Sequence, residues 1–144
     1  MNSKAYILSA LKTFFREKAD QLTVQTAFVY GSYAHGNPRK DSDVDVALVF
    51  DTDLAEDAAL RQINAISLEL TNLLGLDVNI LTISSDFRKP MLYYNAVVKG
   101  VPIFIKEVTT YARLRNEAIS RMEDFQLFGT RWQFEAAKRN LSRG

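Results

Sequence analysis

Two aspartates at alternate positions of one short segment are the clearest chemical feature of the sequence. Asp43 and Asp45 stand in Ser-Asp-Val-Asp-Val, residues 42–46, where the β-branched residues predict a strand. Because successive side chains of a strand point to opposite faces, both carboxylates project from the same side. They repel each other, and no Lys or Arg lies between Asp41 and Leu60 to neutralise them. A hard divalent cation such as Mg²⁺, which prefers oxygen ligands, is the simplest counter-charge.

A Gly-Ser pair stands upstream, where a predicted strand at 23–30 ends. Ten residues separate Gly31-Ser32 from Asp43. Glycine lets the backbone approach a phosphate closely, and the serine hydroxyl and the following amides can donate to it. Alone, such a pair is a common turn. Together with the aspartates it predicts a phosphate loop and a metal pair on adjacent strands, to which Asp77 would add a third carboxylate if its strand lies beside the second.

The elements that must position these residues are those of a small α+β domain. Hydrophobic periodicity predicts, in order, a helix at 3–19, strands at 23–30 and 43–50, a helix ending at Gly75, a strand at 77–83, a helix ending at Gly100, a short edge strand at 101–105 and a helical stretch at 108–140. This order indicates a small mixed sheet with helices mainly on one face and a long C-terminal helix. A single domain is expected over 1–144, with a core at about 20–105 and a helical extension at 106–144.

Local signals predict where the helices begin and bend. Asp53, with Glu56 three residues on, has the spacing of a capping box, and Asp86 is expected to cap the helix that contains Pro90. Gly129 is expected to break or bend the last helix. The inward face of the helix that ends at Gly100 is expected to carry Met91, Tyr94 and Val98.

The composition excludes several classes of protein. The 144 residues include no Cys and one His, which excludes disulfides, thiolate metal sites and cysteine nucleophiles and disfavours a histidine zinc site. No apolar run is long enough to span a membrane, so a cytoplasmic protein is expected. Net charge changes along the chain, from +4 over 1–40 to −9 over 41–86 and +6 over 87–144. This pattern suits a carboxylate-rich site flanked in the chain by basic side chains that could bind an anion.

Two of these segments together resemble a known family. Gly-Ser-Tyr-Ala-His-Gly at 31–36, followed by Ser-Asp-Val-Asp-Val at 42–46, is similar to the signature of the polymerase-β-like nucleotidyltransferases. The small size resembles the minimal nucleotidyltransferases, antitoxin partners of HEPN-domain toxins. Asp77 at the start of a hydrophobic strand and the helix of 93–100 also match the pattern. The resemblance covers residues 24–105.

The resemblance implies roles for five residues. Asp43 and Asp45 would hold two Mg²⁺ ions, and Asp77 would complete one metal site and assist deprotonation of the attacking hydroxyl. Gly31 and Ser32 would hold the β- and γ-phosphates of ATP. The implied reaction is transfer of AMP from ATP to a hydroxyl acceptor, expected to be a tyrosine of a partner HEPN ribonuclease toxin.

Other functions stay open at this point. The same fold could neutralise a toxin by masking it without catalysis, or transfer AMP to a small molecule of the aminoglycoside type, although no second domain is present to hold one. Nucleic-acid extension is weaker still, because no basic groove with interleaved aromatics is evident.

Several further residues have surface or interface interpretations. His35, Arg39, Lys40 and Ser42 are interpreted as loop residues that could contact phosphate or position the aspartates, and Asp41, Asp51, Asp53 and Asp57 as surface or capping acids. The aromatic C-terminal stretch suits either packing on the sheet or a protein interface, including a homo- or hetero-oligomer. Its apolar residues are Phe125, Leu127, Phe128, Trp132 and Phe134.

Overall fold

A four-stranded mixed sheet forms the centre of the computed structural model, which describes residues 3–39 and 42–142, with side chains through Gly129 and at Lys138. The elements in chain order are α1 (Lys4–Leu22), β1 (Val24–Tyr30), α2 (Ser32–His35), β2 (Val44–Phe50), α3 (Glu56–Leu74), β3 (Val78–Thr82), α4 (Pro90–Val97), β4 (Val101–Ile105) and α5 (Val108–Ser142). The strand order is β3-β2-β1-β4. The predicted α+β class, with its small mixed sheet and long C-terminal helix, is confirmed.

The strand pairing follows from how the chain connects the strands. β1 runs antiparallel to both β2 and β4, whereas β2 and β3 are parallel, and the 19-residue α3 supplies the crossover that parallel strands need. β4 lies at an edge of the sheet, where Pro102 is tolerated because a proline there removes no essential ladder hydrogen bond.

One face of the sheet is covered by the two 19-residue helices. α1 contributes Ile7, Leu11 and Phe15, each fully buried, and α3 contributes Ile66 and Leu70. These side chains recur at helical spacing, so each helix presents a continuous apolar stripe to the strands.

The opposite face is covered by α4 and the first half of α5. Phe28 and Ala47 of the central strands pack there against Ala96 and Val97 of α4 and Ala118 of α5. Helices therefore cover both faces, whereas the sequence predicted that they lie mainly on one. The reason is that each of the two strands contains successive apolar residues, at 27–29 in β1 and at 46–50 in β2, so both of their faces need cover.

The predicted caps differ from those observed. α3 begins at Glu56 without a side-chain cap, and the Asp53 carboxylate instead accepts a hydrogen bond from the Ser85 hydroxyl at 2.5 Å. Asp86 accepts from the Ser84 hydroxyl and pairs with Arg88, and α4 starts later, at Pro90. Both acids thus bond within the loops rather than to a helix end. Gly75, with φ +69°, ends α3 in the left-handed conformation as predicted.

Two predictions about helix faces and continuity were wrong. α4 buries Tyr93, Ala96 and Val97, while Met91 is 53% exposed, so the inward stripe lies one to two positions away from the predicted one. α5 continues through Gly129 without a break, because one glycine inside a helix costs only about 1 kcal/mol. Within the part of the chain that the structure describes, none of the helices has the length and apolar character needed to cross a bilayer.

Gly100 provides a test of how tightly α4 is joined to the sheet. A Cβ atom there would lie 2.1 Å from the Ala96 carbonyl oxygen and 2.8 Å from that of Val29. We expect Gly100→Ala to lower the free energy of unfolding by about 1–3 kcal/mol, since both neighbours are backbone atoms. Urea unfolding followed by circular dichroism measures the change.

Gly129→Ala is the matched control. The residue is inside α5, and among the described residues no atom outside the helix's own backbone lies within 4 Å of a Cβ placed there. We expect this change to be neutral or to stabilise the protein by up to about 1 kcal/mol. Equal stabilities for the two variants would contradict the close packing described at Gly100.

Candidate functional site

The predicted site residues meet where β1 ends and where β2 and β3 begin. Antiparallel pairing sets Tyr30, the last residue of β1, opposite Asp45, and parallel pairing sets Asp45 beside Asn79 of β3. Asp43 lies immediately before β2, two positions from Asp45. One end of the sheet thereby collects an aromatic hydroxyl, two carboxylates and an amide.

Asn79 connects the two aspartates. Its Nδ2 atom donates to Asp43 Oδ2 and to Asp45 Oδ1, each at 3.3 Å. Both carboxylates therefore converge on one amide group, as the same-side projection predicted. The distances are at the long end for hydrogen bonds, so the amide offsets only part of the repulsion between the carboxylates.

The electrostatics differ between the two carboxylates. Asp43 is exposed, whereas Asp45 is half-buried. Burial raises the pKa of the Asp45 carboxyl, the hydrogen bond from Asn79 lowers it, and the charge of Asp43 raises it, with a net upward shift. Burial, followed by the charge of Asp45, also raises the pKa of the Tyr30 hydroxyl. Tyr30 is therefore protonated at neutral pH and adds no charge to the site.

Gly31 joins the Gly-Ser segment to the aspartates. It has φ +74°, and a Cβ atom there would lie 2.5 Å from Asp45 Oδ2. The position thus needs glycine both for its backbone conformation and for the space that the carboxylate occupies. This contact places the two sequence motifs in a single site.

The short helix α2, which the sequence analysis treated as a loop, follows Gly31 directly. The Gly31 carbonyl accepts from the N–H groups of Ala34 and His35 at 3.0 and 3.2 Å, and the Lys4 ammonium donates to the Ala34 carbonyl at 3.1 Å. The first N–H groups of a helix have no intrahelical acceptor, so those of Ser32 and Tyr33 are suited to an anion. Tyr33 is 1% exposed and anchors the turn in the core.

The register that pairs Val44 with Val78 sets Asp77 beside Asp43, and its place as the third acid stays a prediction. Asp77 lies exposed just before β3, and its backbone carbonyl accepts from the Val44 N–H at 2.9 Å. Among the described side chains, those of residues 3–39, 42–129 and 138, no three carboxylates or imidazoles are arranged to hold one metal ion. The side chain that reaches both aspartates from β3 is Asn79, which the sequence analysis did not single out.

The other polar residues that the sequence analysis named as possible phosphate contacts lie at the edge of the site. His35 and Arg39 are exposed, and the Ser42 hydroxyl accepts from the Arg39 backbone N–H at 2.8 Å, which closes the loop that precedes the aspartates. Lys40 and Asp41 lie outside the described residues.

A family model described as "Polymerase beta, Nucleotidyltransferase" matches residues 10–109, a span that contains every site residue named above. The chain belongs to this nucleotidyltransferase family. The match ends at the start of α5, so the rest of that helix lies beyond the family domain. No curated protein sequence matches the chain.

Solved structures share the fold of this nucleotidyltransferase over most of its length. A mutant of the toxin-antitoxin MntA-HpeT has a TM-score of 0.69 at 15% identity, covering 87% of this chain and 97% of that one. A toxin-antitoxin with AMP-PNP has a TM-score of 0.68 at 17% identity, with the same coverage. A tri-AMPylated Shewanella oneidensis HEPN toxin in complex with MNT antitoxin gives 0.61 at 17% identity, covering 87% of this chain and 98% of that one. At these identities the likeness establishes the fold.

The repulsion between Asp43 and Asp45 should lower the melting temperature of the metal-free protein by an amount that depends on pH. We expect Asp45→Asn to raise the melting temperature of the metal-free protein at pH 7, because it removes a half-buried charge that burial and Asp43 disfavour. The raised pKa means that the folded chain binds this proton more tightly than the unfolded chain does. The destabilisation by the ionised group is therefore absent below the unfolded pKa, about 4, and complete above the folded pKa.

The measurement is thermal unfolding in EDTA at pH 4 and pH 7. The stabilising effect of Asp45→Asn should shrink at the lower pH, whereas Asp124→Asn, at an exposed position in α5, should have little effect at either pH. A melting temperature that is unchanged or lower for Asp45→Asn at pH 7 would show that the pair is not under electrostatic strain.

Gly75 is the comparison position for testing the Gly31–Asp45 contact, because both glycines have positive φ, at +74° and +69°. Gly75 is in the left-handed helical region, where Ala costs about 1–2 kcal/mol, whereas Gly31, with ψ −148°, is in a region essentially confined to glycine and is strained more. At Gly31 the new Cβ also meets a carboxylate, while among the described residues nothing outside the adjacent residues of the chain lies within 4 Å at Gly75. We expect Gly31→Ala to weaken Mn²⁺ binding at least tenfold in calorimetry and Gly75→Ala to leave it unchanged. Equal affinities in the two variants would refute the functional importance of this contact.

Proposed function

We propose that this nucleotidyltransferase is a Mg²⁺-dependent adenylyltransferase that moves AMP from ATP to a tyrosine hydroxyl of a partner HEPN ribonuclease toxin, and so acts as its antitoxin. The observation that carries the proposal is the packing of Gly31 against Asp45, which unites a phosphate-binding segment and a carboxylate pair in one site. We place this activity in the cytoplasm, where ATP and a ribonuclease target would both be found.

The similar structures support the choice of nucleotide and partner. One is a toxin-antitoxin with AMP-PNP, and another contains a tri-AMPylated HEPN toxin with its MNT antitoxin. The chain matches nearly the whole length of those chains, at 97% and 98%.

The donor set of the site fits a divalent cation. Asp43 and Asp45 both direct carboxylate oxygens, which are hard ligands, toward the amide of Asn79. A divalent cation between them would offset their negative charge more fully than this hydrogen-bond donor does. These two residues would hold Mg²⁺. When bound, Mg²⁺ would neutralise charge on the triphosphate and favour departure of pyrophosphate.

The chain's own residues would bind and orient the nucleotide. The Ser32 hydroxyl and the first N–H groups of α2 would donate to the β- and γ-phosphates, and Gly31 lets the backbone come close to them. The acceptor oxygen would attack the α-phosphorus in line. One phosphorus–oxygen bond forms, the bond to pyrophosphate breaks, and the hydroxyl proton is released. Assistance by Asp77 in removing that proton stays a prediction.

The described part of α5 offers a surface for the partner. Phe125, Leu127 and Phe128 are 46%, 69% and 69% exposed. Aromatic side chains are enriched at the centres of protein interfaces, so we assign this stretch to contact with the toxin. Trp132 and Phe134, also expected in the interface, have side chains outside the described set.

One observation favours a second candidate, an antitoxin that masks the toxin without catalysis. The group from β3 that contacts both aspartates in the metal-free structure is the neutral amide of Asn79, and no three carboxylate or imidazole side chains among the described residues are arranged around one ion. If the aspartates hold no cation, binding alone could neutralise the toxin.

Label transfer tests the proposed activity. The protein is incubated with α-phosphate-labelled ATP, Mg²⁺ and a HEPN toxin encoded beside it, and labelled toxin is measured after denaturing electrophoresis. We expect labelling by the wild-type protein that depends on Mg²⁺ and falls at least a hundredfold in Asp43→Asn and Asp45→Asn, because either change removes a carboxylate that would hold the cation. Asp57→Asn, on the exposed start of α3, should retain full activity.

Protection of cells separates the two candidates. If Asp45→Asn no longer labels the toxin but still protects cells that express it, masking is the function. Unlabelled toxin with every variant, including the wild type, would refute the adenylyltransferase proposal.

A further inference from the structure

A cleft lies at the end of the sheet opposite to the carboxylates. The start of β1, the loops that follow β2 and β3, and the first turns of α5 enclose a space of about 710 Å³, within the range of small-molecule sites. Along β2, Val49 of the cleft is four positions from Asp45, or roughly 13 Å. Phe28 and Ala47 fill the positions between the two sites and are fully buried. The cleft is therefore separate, and none of the described residues that line it belongs to the carboxylate site.

The floor of the cleft holds two buried polar side chains. Gln25 is 8% exposed and Thr26 is fully buried, and apart from tyrosines no other polar side chain in the described part of the chain is buried to this degree. Thr26 lies on the same face of β1 as Phe28, whose ring packs against Tyr111 of α5, so the Thr26 side chain points toward α5. Its hydroxyl has no hydrogen-bond partner among the described residues. A buried hydroxyl without a partner costs about 1–3 kcal/mol, so a ligand that bonded to it would recover this cost.

The walls of the cleft are apolar and its rim is acidic. The walls are formed by Val49, Ile83, Phe87 and Leu114. The rim carries four acids and one arginine, which are Asp51, Asp53, Glu107, Glu117 and Arg113. Asp51 is paired with Lys106 at 3.2 Å, and Glu117 is paired with Arg121 at 2.7 Å. The two other acids outnumber the arginine, so the rim keeps a small negative charge, which disfavours a phosphate.

We propose that this cleft binds a neutral planar heterocycle of the nucleobase or nucleoside class. The Gln25 amide and the Thr26 hydroxyl can each donate and accept, so together they match a base edge that does the same. Apolar and aromatic walls suit the two faces of a flat ring. Carboxylates at the rim can accept from sugar hydroxyls but repel phosphate, which favours a free nucleoside over a nucleotide or a nucleic acid. This site does not depend on the proposed adenylyl transfer.

Calorimetry with adenosine, guanosine, cytidine and uridine tests the proposal on the whole protein. We expect at least one of them to bind with a dissociation constant below about 1 mM, and its 5′-monophosphate to bind about tenfold more weakly because of the acidic rim. Binding should be unchanged in Asp45→Asn and in the presence of excess AMP-PNP and Mg²⁺. Absence of binding by all four nucleosides would overturn the proposal. Loss of binding in Asp45→Asn or with AMP-PNP would overturn it too, because the nucleoside would then occupy the carboxylate site.

Thr26→Val separates the cleft from the rest of the protein. The change removes an unpartnered hydroxyl, so it should raise the melting temperature of the ligand-free protein and weaken nucleoside binding about fivefold, and Gln25→Leu should weaken binding by a similar factor. Thr82→Val is the matched control, because the Thr82 hydroxyl is also buried without a partner among the described residues but Thr82 does not line the cleft. It should leave the nucleoside affinity unchanged. An affinity that Thr26→Val does not alter, or that both valine variants lower equally, would overturn the proposal.

Discussion

The repulsion between two carboxylates held side by side is the constraint that organises this protein's site. Asp43 and Asp45 project from the same side of β2, and burial together with the charge of Asp43 raises the pKa of Asp45. Such an arrangement destabilises a metal-free protein, so a sequence that retains it has a use for a concentrated negative charge. The surrounding residues are consistent with this use. Asn79 offsets the repulsion through its amide, and Gly31 leaves the space that the Asp45 carboxylate fills.

The rest of the fold holds these few atoms in position. β1 and β2 are buried on both faces, so the ends of the strands at the site are fixed by two separate hydrophobic clusters. Tyr33 anchors the turn after Gly31 in one cluster, and α1 reaches the same turn through Lys4. Site residues supported by buried side chains keep their geometry before a ligand arrives, which lowers the entropic cost of binding.

Much of the fold could be predicted from local sequence. The β-branched and aromatic runs gave strands within one or two residues of their observed bounds, and β4 was predicted at its observed position, 101–105. Asp43 and Asp45 were predicted as neighbours because side-chain alternation in a strand is a local property. The short helix α2 was missed because four residues are too few to show helical periodicity. The inward face of α4 was misplaced, since an eight-residue helix rich in apolar residues does not define its own stripe.

The contact of Asn79 with both aspartates could not be predicted from the β3 segment alone. Asp77 stays a prediction as the third acid, whereas the contact of Asn79 with Asp45 depends on the register between β2 and β3, a tertiary property. Side-chain alternation in β3 already put Asp77 and Asn79 on one face, so only the register was undetermined by the sequence.

The most direct test of the proposed site is a crystal of the protein soaked with Mn²⁺ and AMP-PNP. We expect anomalous density between Asp43 and Asp45, with the triphosphate against Ser32. Nucleotide bound elsewhere, with the two carboxylates free of metal, would contradict the proposed site.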